Sequence, residues 1–327
     1  MYEDFFGLVN RPFDLTPDPR YLFLTPSHRE ALSSLEYGIS ARTGVTVLVG
    51  EAGTGKTTLI RATLDGRDQA KTKTIYMNNP TLTRSEFLEF LAAEFQLPTE
   101  GGDSKTRLLR ELEDVLLDML RADITPALII DEAQSLPYEL LEEIRLLANI
   151  ETPREKLLPI ILAGQPELAM RLNHQSLRQL KQRVGLRCDL RPLDLGETGA
   201  YITARVKVAG GTAGALFTRE AVMMIHERSL GIPRVISVLC HNALINAFAL
   251  GRKPVTTECV LEVCRDFELG KIGSADAGGG VLRPDTVLTL GRPPRQSKTP
   301  DVVPPRIRQR EMFDEVVKPK RWYSFFE

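Results

Sequence analysis

The sequence predicts an α/β fold: a parallel sheet with helices on both faces, then a small all-helical domain and a disordered C-terminal tail. Three observations predict it. Short, nearly continuous apolar runs (VTVLVG at 45–50, PALIID at 126–131, LPIILAG at 158–164) alternate with helical stretches, as strands buried on both faces do. After Pro192 the strand signals give way to helical stretches joined at Gly210-Gly211 and Gly231. From about Gly270 the chain is rich in Gly, Pro and cations and cannot bury enough apolar surface to order itself.

The elements follow in order. Residues 1–44 hold an irregular opening rich in Pro and aromatics, then a helix from about Ser27 to Ala41. VTVLVG is the first strand and a helix starts at Lys56. KTKTIYM (71–77) is the second strand. Thr83-Arg84-Ser85-Glu86 is a capping box opening a helix to about Phe95. Another helix spans about Ser104 to Arg121, and the third strand, 126–131, precedes a helix with Pro137 in its first turn. The fourth strand, 158–164, leads to LRQLKQRVGLR (177–187). That stretch reads as a helix whose Leu177, Leu180 and Val184 pack on the sheet. Arg178, Lys181, Arg183 and Arg187 are then left free or flanking. LRCDLRPL (186–193) carries a fifth strand, and further helices fall near 197–209, 218–229, 233–249 and 256–268. The expected organisation is 1–44 as an N-terminal segment and helix, 45–192 as the core, 193–269 as a small helical domain and 270–327 as the tail.

With 327 residues and 43% hydrophobic content the chain can bury a sizeable core. A net charge of -1 excludes a global field drawing it to nucleic acid or acidic lipid. Cys188, Cys240, Cys259 and Cys264 lack metal-ligand spacing and read as reduced, mostly buried thiols. No signal-peptide pattern opens the chain, and VISVLCHNALINAFAL is broken by His241, Asn242 and Asn246, so no stretch is long and apolar enough to span a bilayer. The expectation is a cytoplasmic protein, peripheral to the inner membrane only through a partner.

Gly50-Glu51-Ala52-Gly53-Thr54-Gly55-Lys56-Thr57 fits G-x-x-x-x-G-K-[ST] in full, after a strand and opening a helix, with Thr58 next. Glycines let backbone amides turn towards phosphate oxygens, and the helix N-terminus favours negative charge. Lys56 is expected at the β- and γ-phosphates of ATP and the Thr57 hydroxyl on Mg²⁺. Asp131 ends the apolar run ALIID, so its carboxylate emerges beside that loop and holds Mg²⁺ through its waters. Glu132 follows as general base for an attacking water. Gln165 ends the fourth strand, expected beside the first. It either positions the water or senses the γ-phosphate, or it is a turn residue before Pro166. Among the cations of 177–187, an arginine supplied to a neighbouring subunit's site would neutralise charge in the transition state.

These residues carry a resemblance. The Gly50–Thr57 loop, the Asp131-Glu132 pair, the polar strand end, QRVG at 182–185 and GIPR at 231–234 together resemble an AAA+ ATPase with a helical lid. The opening FFGLVNRPFDLTPDPRYLFLTPSHREALSSLEYGI and the run LAGQPEL resemble the bacterial general secretion pathway protein A (ExeA-type) ATPases, which are related to ATPases of exopolysaccharide and exosortase loci. The resemblance covers about residues 1–268. It implies an arginine finger at Arg183, with Arg178 as second candidate or plain surface cation. It also implies a lid arginine at Arg234 contacting the nucleotide in cis, and sensor 1 at Gln165. Pro12-Phe13 either lines an adenine pocket or packs in the core. The implied function is an oligomeric ATPase, a ring being the arrangement the resemblance suggests, that drives or switches assembly of a secretion or polysaccharide-export apparatus. Family members typically continue through a membrane span into a peptidoglycan-binding region, which is not read here. An envelope component reached through the tail and its RWYSFFE end is the expected partner, unless that aromatic end docks on its own domain. A DNA-associated regulator of the transposition-helper type is the alternative. From Lys271 on there are eleven Lys/Arg against seven Asp/Glu, a modest excess for nucleic acid.

Overall fold

The structure, a computed structural model, describes residues 1–14, 19–78, 81–97 and 105–267. The expected tail, 270–327, lies outside the described residues.

The chain begins with α1 (Tyr2–Phe6) and α2 (Pro26–Ser40), then β1 (Val45–Gly50), α3 (Lys56–Asp65) and β2 (Thr72–Met77). After α4 (Arg84–Glu94) and α5 (Lys105–Arg121) come β3 (Thr125–Ile130), α6 (Tyr138–Leu147), β4 (Ile160–Gly164), α7 (Pro166–Leu172), α8 (Arg178–Lys181) and β5 (Val184–Leu190). The helical part holds α9 (Leu195–Val208), α10 (Ala213–Leu216), α11 (Arg219–Ser229), α12 (Pro233–Ala249) and α13 (Thr257–Asp266).

The sheet has the order β2-β3-β4-β1-β5, with all pairs parallel. Strand composition follows position. Central β1 and β4 are buried throughout, whereas edge strands β2 and β5 alternate between buried and more exposed residues. Edge strand β5 also carries an Arg187–Asp189 ion pair, which discourages pairing with a further strand. The period of two divides each central strand between two cores. Val47, Ile130 and Leu162 face a layer with α4 to α8. Leu48, Ile129 and Ile161 face α2 and α3 through Leu35, Ile39, Leu59 and Ile60. Burial of one such side chain contributes about 1.5–3 kcal/mol.

A third core lies among α9 to α13, and Tyr2, Phe6, Leu8 and Phe13 belong to it. The N-terminal segment is therefore divided: its first residues pack with the lid and α2 packs on the sheet. The Lys253 ammonium over the Phe5 ring, 4.0 Å from its centroid, adds to this attachment. Helix α1 is too short to leave a period in the sequence, which is why the opening reads as irregular. Among the described residues no helix is long and apolar enough to cross a membrane. All four cysteines are free and buried.

One element departs from expectation. Residues 177–187 do not form one helix. A 3₁₀ turn (Gln175–Leu177) and the four-residue α8 carry the buried Leu177 and Leu180, and the chain enters β5 at Val184. Pairing with β1 overrides the helical pattern. The Arg183 carbonyl accepts from the Val45 amide at 3.3 Å, and Val184 is in register with Val45. The expected stripe is thus cut before its third residue.

Candidate functional site

The C-terminal ends of β1, β3 and β4 bring the chemistry-bearing residues together, where open α/β sheets bind ligands. Residues 50–57 leave β1 and enter α3. Gly53 and Gly55 take φ of +82° and +100°, a backbone region that only glycine adopts without penalty. Lys56 is buried. Its ammonium donates to the Gly50 and Glu51 carbonyls at 2.8 and 3.1 Å, lying across the loop that it opens. Burial lowers its pKa, opposed by the carboxylates of Glu132, Asp131, Glu51 and Glu167. Such an ammonium gains from an incoming anion. Ala52 is exposed, and the Thr54 hydroxyl closes the loop onto the Glu51 carbonyl at 2.8 Å.

Asp131 is buried and follows β3, its amide held by the Met77 carbonyl at 2.9 Å. Oδ2 accepts from the Thr57 hydroxyl at 2.6 Å and the Tyr76 hydroxyl at 2.9 Å, and Oδ1 accepts from the Glu132 amide at 2.9 Å. Tyr76 is pushed well above its ordinary range by burial and by the neighbouring carboxylate. A hydroxyl and a carboxylate that converge on one point are hard oxygen donors, the set that Mg²⁺ takes. By donor chemistry Thr57 and Asp131 therefore fit the expected ion.

Glu132 sits in the left-handed region at φ +53°, uncommon for a residue with a Cβ. Its Oε2 accepts from Gln134 Nε2 at 2.6 Å and from Gln165 Nε2 at 3.4 Å. Strand β4 lies between β1 and β3, so Gln165 at its tip stands between the phosphate loop and the acidic pair. Gln165 is also the residue before α7, so its place as a turn residue and its place in the site coexist.

The lid touches the loop directly. The Arg234 amide, in the first turn of α12, donates to the Gly53 carbonyl at 3.2 Å. A Cβ on Gly53 would stand 2.7 Å from that of Arg234, so only glycine admits this approach. The Arg234 side chain itself is exposed. Beside the loop, a cleft lined by Leu22, Phe23, Leu24, His28, Thr58 and Tyr201 opens between the N-terminal segment and the lid. His28 Nε2 donates to the Thr54 carbonyl at 3.0 Å, and Nδ1 faces the Thr25 hydroxyl at 2.7 Å. A carbonyl only accepts, so Nε2 carries the proton. Phe13 is in the lid core, edge-on to Phe217, and the Pro12 carbonyl accepts from Arg205 at 2.6 Å. Core packing, not the cleft, is their place.

Arg183 and Arg178 are exposed, and Arg183 lies at the other end of the sheet. Arg183 precedes Val184, in register with Val45, whereas the phosphate loop follows Gly50. Five residue steps along β1 are about 16 Å, beyond reach of the chain's own loop. Sequence reasoning missed His28, Gln134, Arg171 and Tyr76, whose partners are distant in the chain and carry no local pattern.

Residues 40–172 match the family model described as an AAA domain. Over 251 residues, 77% of the chain, the sequence is 43% identical to general secretion pathway protein A of Aeromonas hydrophila. The alignment covers 46% of that relative, so the chain spans about half its length. Among solved structures, Cdc6p from Pyrobaculum aerophilum is similar with a TM-score of 0.60 at 18% identity, covering 79% of this chain and 71% of that one. The Aeropyrum pernix ORC2 protein, in its ADPNP-ADP complexes, gives 0.55 at 20% identity with coverage of 79% and 71%. At these identities the two structures establish likeness of fold alone.

Proposed function

We propose, from the premise that this chain belongs to the AAA ATPases of the general secretion pathway protein A family, that it hydrolyses ATP between subunits of an oligomer. The observation that carries this is the convergence of Lys56, Thr57, Asp131, Glu132 and Gln165 at the C-terminal end of the sheet, with Arg183 at the opposite end.

In this reading the amides of Gly50 to Thr57, with Thr58 behind them, cradle the phosphates, and Lys56 exchanges its carbonyl partners for phosphate oxygens. Thr57 and Asp131 would hold Mg²⁺, which would neutralise charge on the phosphates. Glu132 takes a proton from a water attacking the γ-phosphorus, and the bond to the β-phosphate oxygen breaks. Gln165 bears on the water or the γ-phosphate from the tip of β4. Arg183 completes a neighbour's site, since it lies too far from its own. Arg234 closes over the phosphates from the lid, which already meets the loop at Gly53.

Kinship with general secretion pathway protein A supports a role in driving or switching assembly of a bacterial secretion or export apparatus. The partner is an envelope component. The test is ATP turnover per protomer across a range of protein concentrations, with and without duplex DNA. A rate that climbs with concentration is expected, because the site is completed between subunits. A flat rate refutes the trans role. Stimulation by DNA transfers the role to the transposition-helper class.

A further inference from the structure

We propose that Gln134 is a positioning residue for the reaction, anchoring one oxygen of the Glu132 carboxylate so that the other is presented to the attacking water. The inference rests on Glu132 being the general base.

A carboxylate on a flexible side chain serves as base only when its orientation is set. Here Oε2 is engaged by Gln134 Nε2 at 2.6 Å and by Gln165 Nε2 at 3.4 Å, while Oε1 accepts no hydrogen bond from the described residues. The shorter bond, from an amide to an ionised acceptor, is the stronger anchor. The residue type matters because an amide donates and accepts at once. Gln134 Oε1 accepts from the Gln165 backbone amide at 3.0 Å, which ties the base to the tip of β4.

The surroundings are shaped to hold this glutamine. Gly164 leaves room for it: a Cβ at that position would stand 2.9 Å from Gln134 Oε1. Arg171, on α7, donates to the Gln134 carbonyl and to the Leu136 carbonyl, the latter at 2.6 Å. One guanidinium thus fixes the backbone on both sides of Ser135. Glu132 itself stays in the left-handed region at φ +53°, a conformation that persists only when its neighbours determine it. Gln134, Gln165 and Arg171 together form a bridge from α7 through β4 to the base.

The experiment uses the full chain and measures kcat, KM, affinity for a fluorescent ADP analogue and thermal unfolding. The variants are Gln134→Glu, Gln134→Met, Glu132→Gln and the double variant Glu132→Gln with Gln134→Met. Gln134→Glu keeps an acceptor for the Gln165 amide but loses the donor; Gln134→Met keeps the volume and loses both. Each is expected to lower kcat by about tenfold or more while ADP affinity stays within about twofold. In the Glu132→Gln background, Gln134→Met should add nothing in single-turnover assays, because the two residues act as a unit. Unchanged kcat in both Gln134 variants, or a further full loss in the double variant, overturns the positioning role. Normal turnover in Glu132→Gln alone overturns the general-base reading beneath it, a distinguishable failure.

Discussion

The Thr57 hydroxyl donates to Asp131 Oδ2 at 2.6 Å across 74 positions of chain, joining the start of α3 to the end of β3. Two more donors, from Tyr76 and Glu132, complete the shell of a carboxylate that is 1% exposed. A buried carboxylate whose hydrogen-bond donors are all neutral remains expensive, and the nearby Lys56 ammonium is shared with three other carboxylates. Asp131→Asn keeps the shape and removes the charge. Apo stability is expected to rise by about 1 kcal/mol, roughly 2–4 °C in Tm. Mg²⁺-dependent turnover is expected to fall by about a hundredfold or more. Calorimetry and a Mg²⁺ titration of turnover check both halves; a fall in Tm would contradict the argument.

Glu132→Gln removes the proton acceptor while keeping a side chain that Gln134 can still bond. Turnover is expected to fall by about 10²–10⁴, the range for losing a general base, with ATP affinity retained. Size-exclusion chromatography in ATP should then show the nucleotide-bound oligomer persisting. Wild-type hydrolysis would assign the base elsewhere.

Arg183 and Glu132 belong to different subunits' sites if the former acts in trans. Arg183→Ala and Glu132→Gln should each be inactive alone. Mixed in equal amounts, about one quarter of interfaces combine an intact glutamate with an intact arginine from the neighbour. Activity should reappear on mixing in proportion. Silence on mixing, with oligomers still formed, counts against the trans assignment. Arg178→Ala, at the start of α8, separates a second finger from a surface cation.

Much of this arrangement is legible in the sequence because its signals are local. The strands are contiguous apolar runs, the phosphate loop is eight consecutive residues, and Thr83 and Glu86 form the capping box expected of them. Legibility ends where a partner lies far along the chain. The helical pattern of Leu177, Leu180 and Val184 is genuine, yet β1 claims Val184 for the sheet. Gln134 reads as an ordinary loop residue until β4 brings Gln165 to it across 31 positions. Tyr2 and Phe6 give no hint that they belong to the lid core rather than to the segment that follows them.

Gly231 packs against Leu193, in the connection from β5 to α9 where the lid begins. Its φ is +73°, and a Cβ there would stand 2.0 Å from the Leu193 carbonyl oxygen. The Leu193 amide donates to the Gly231 carbonyl at 2.8 Å, so the two segments cannot separate without losing that bond. Three residues on, Arg234 meets Gly53. Gly231→Ala should therefore destabilise by about 3 kcal/mol or more, combining backbone strain with a main-chain clash, and it should weaken nucleotide binding by displacing Arg234. Gly199, inside α9, provides the contrast: a Cβ there meets nothing within 4 Å. Gly199→Ala is expected to stabilise by about 0.5–1 kcal/mol through helix propensity alone. Urea unfolding of both variants, read with ADP affinity, tests the pair. Equal effects of the two substitutions would mean that the Gly231–Leu193 contact does not hold the lid.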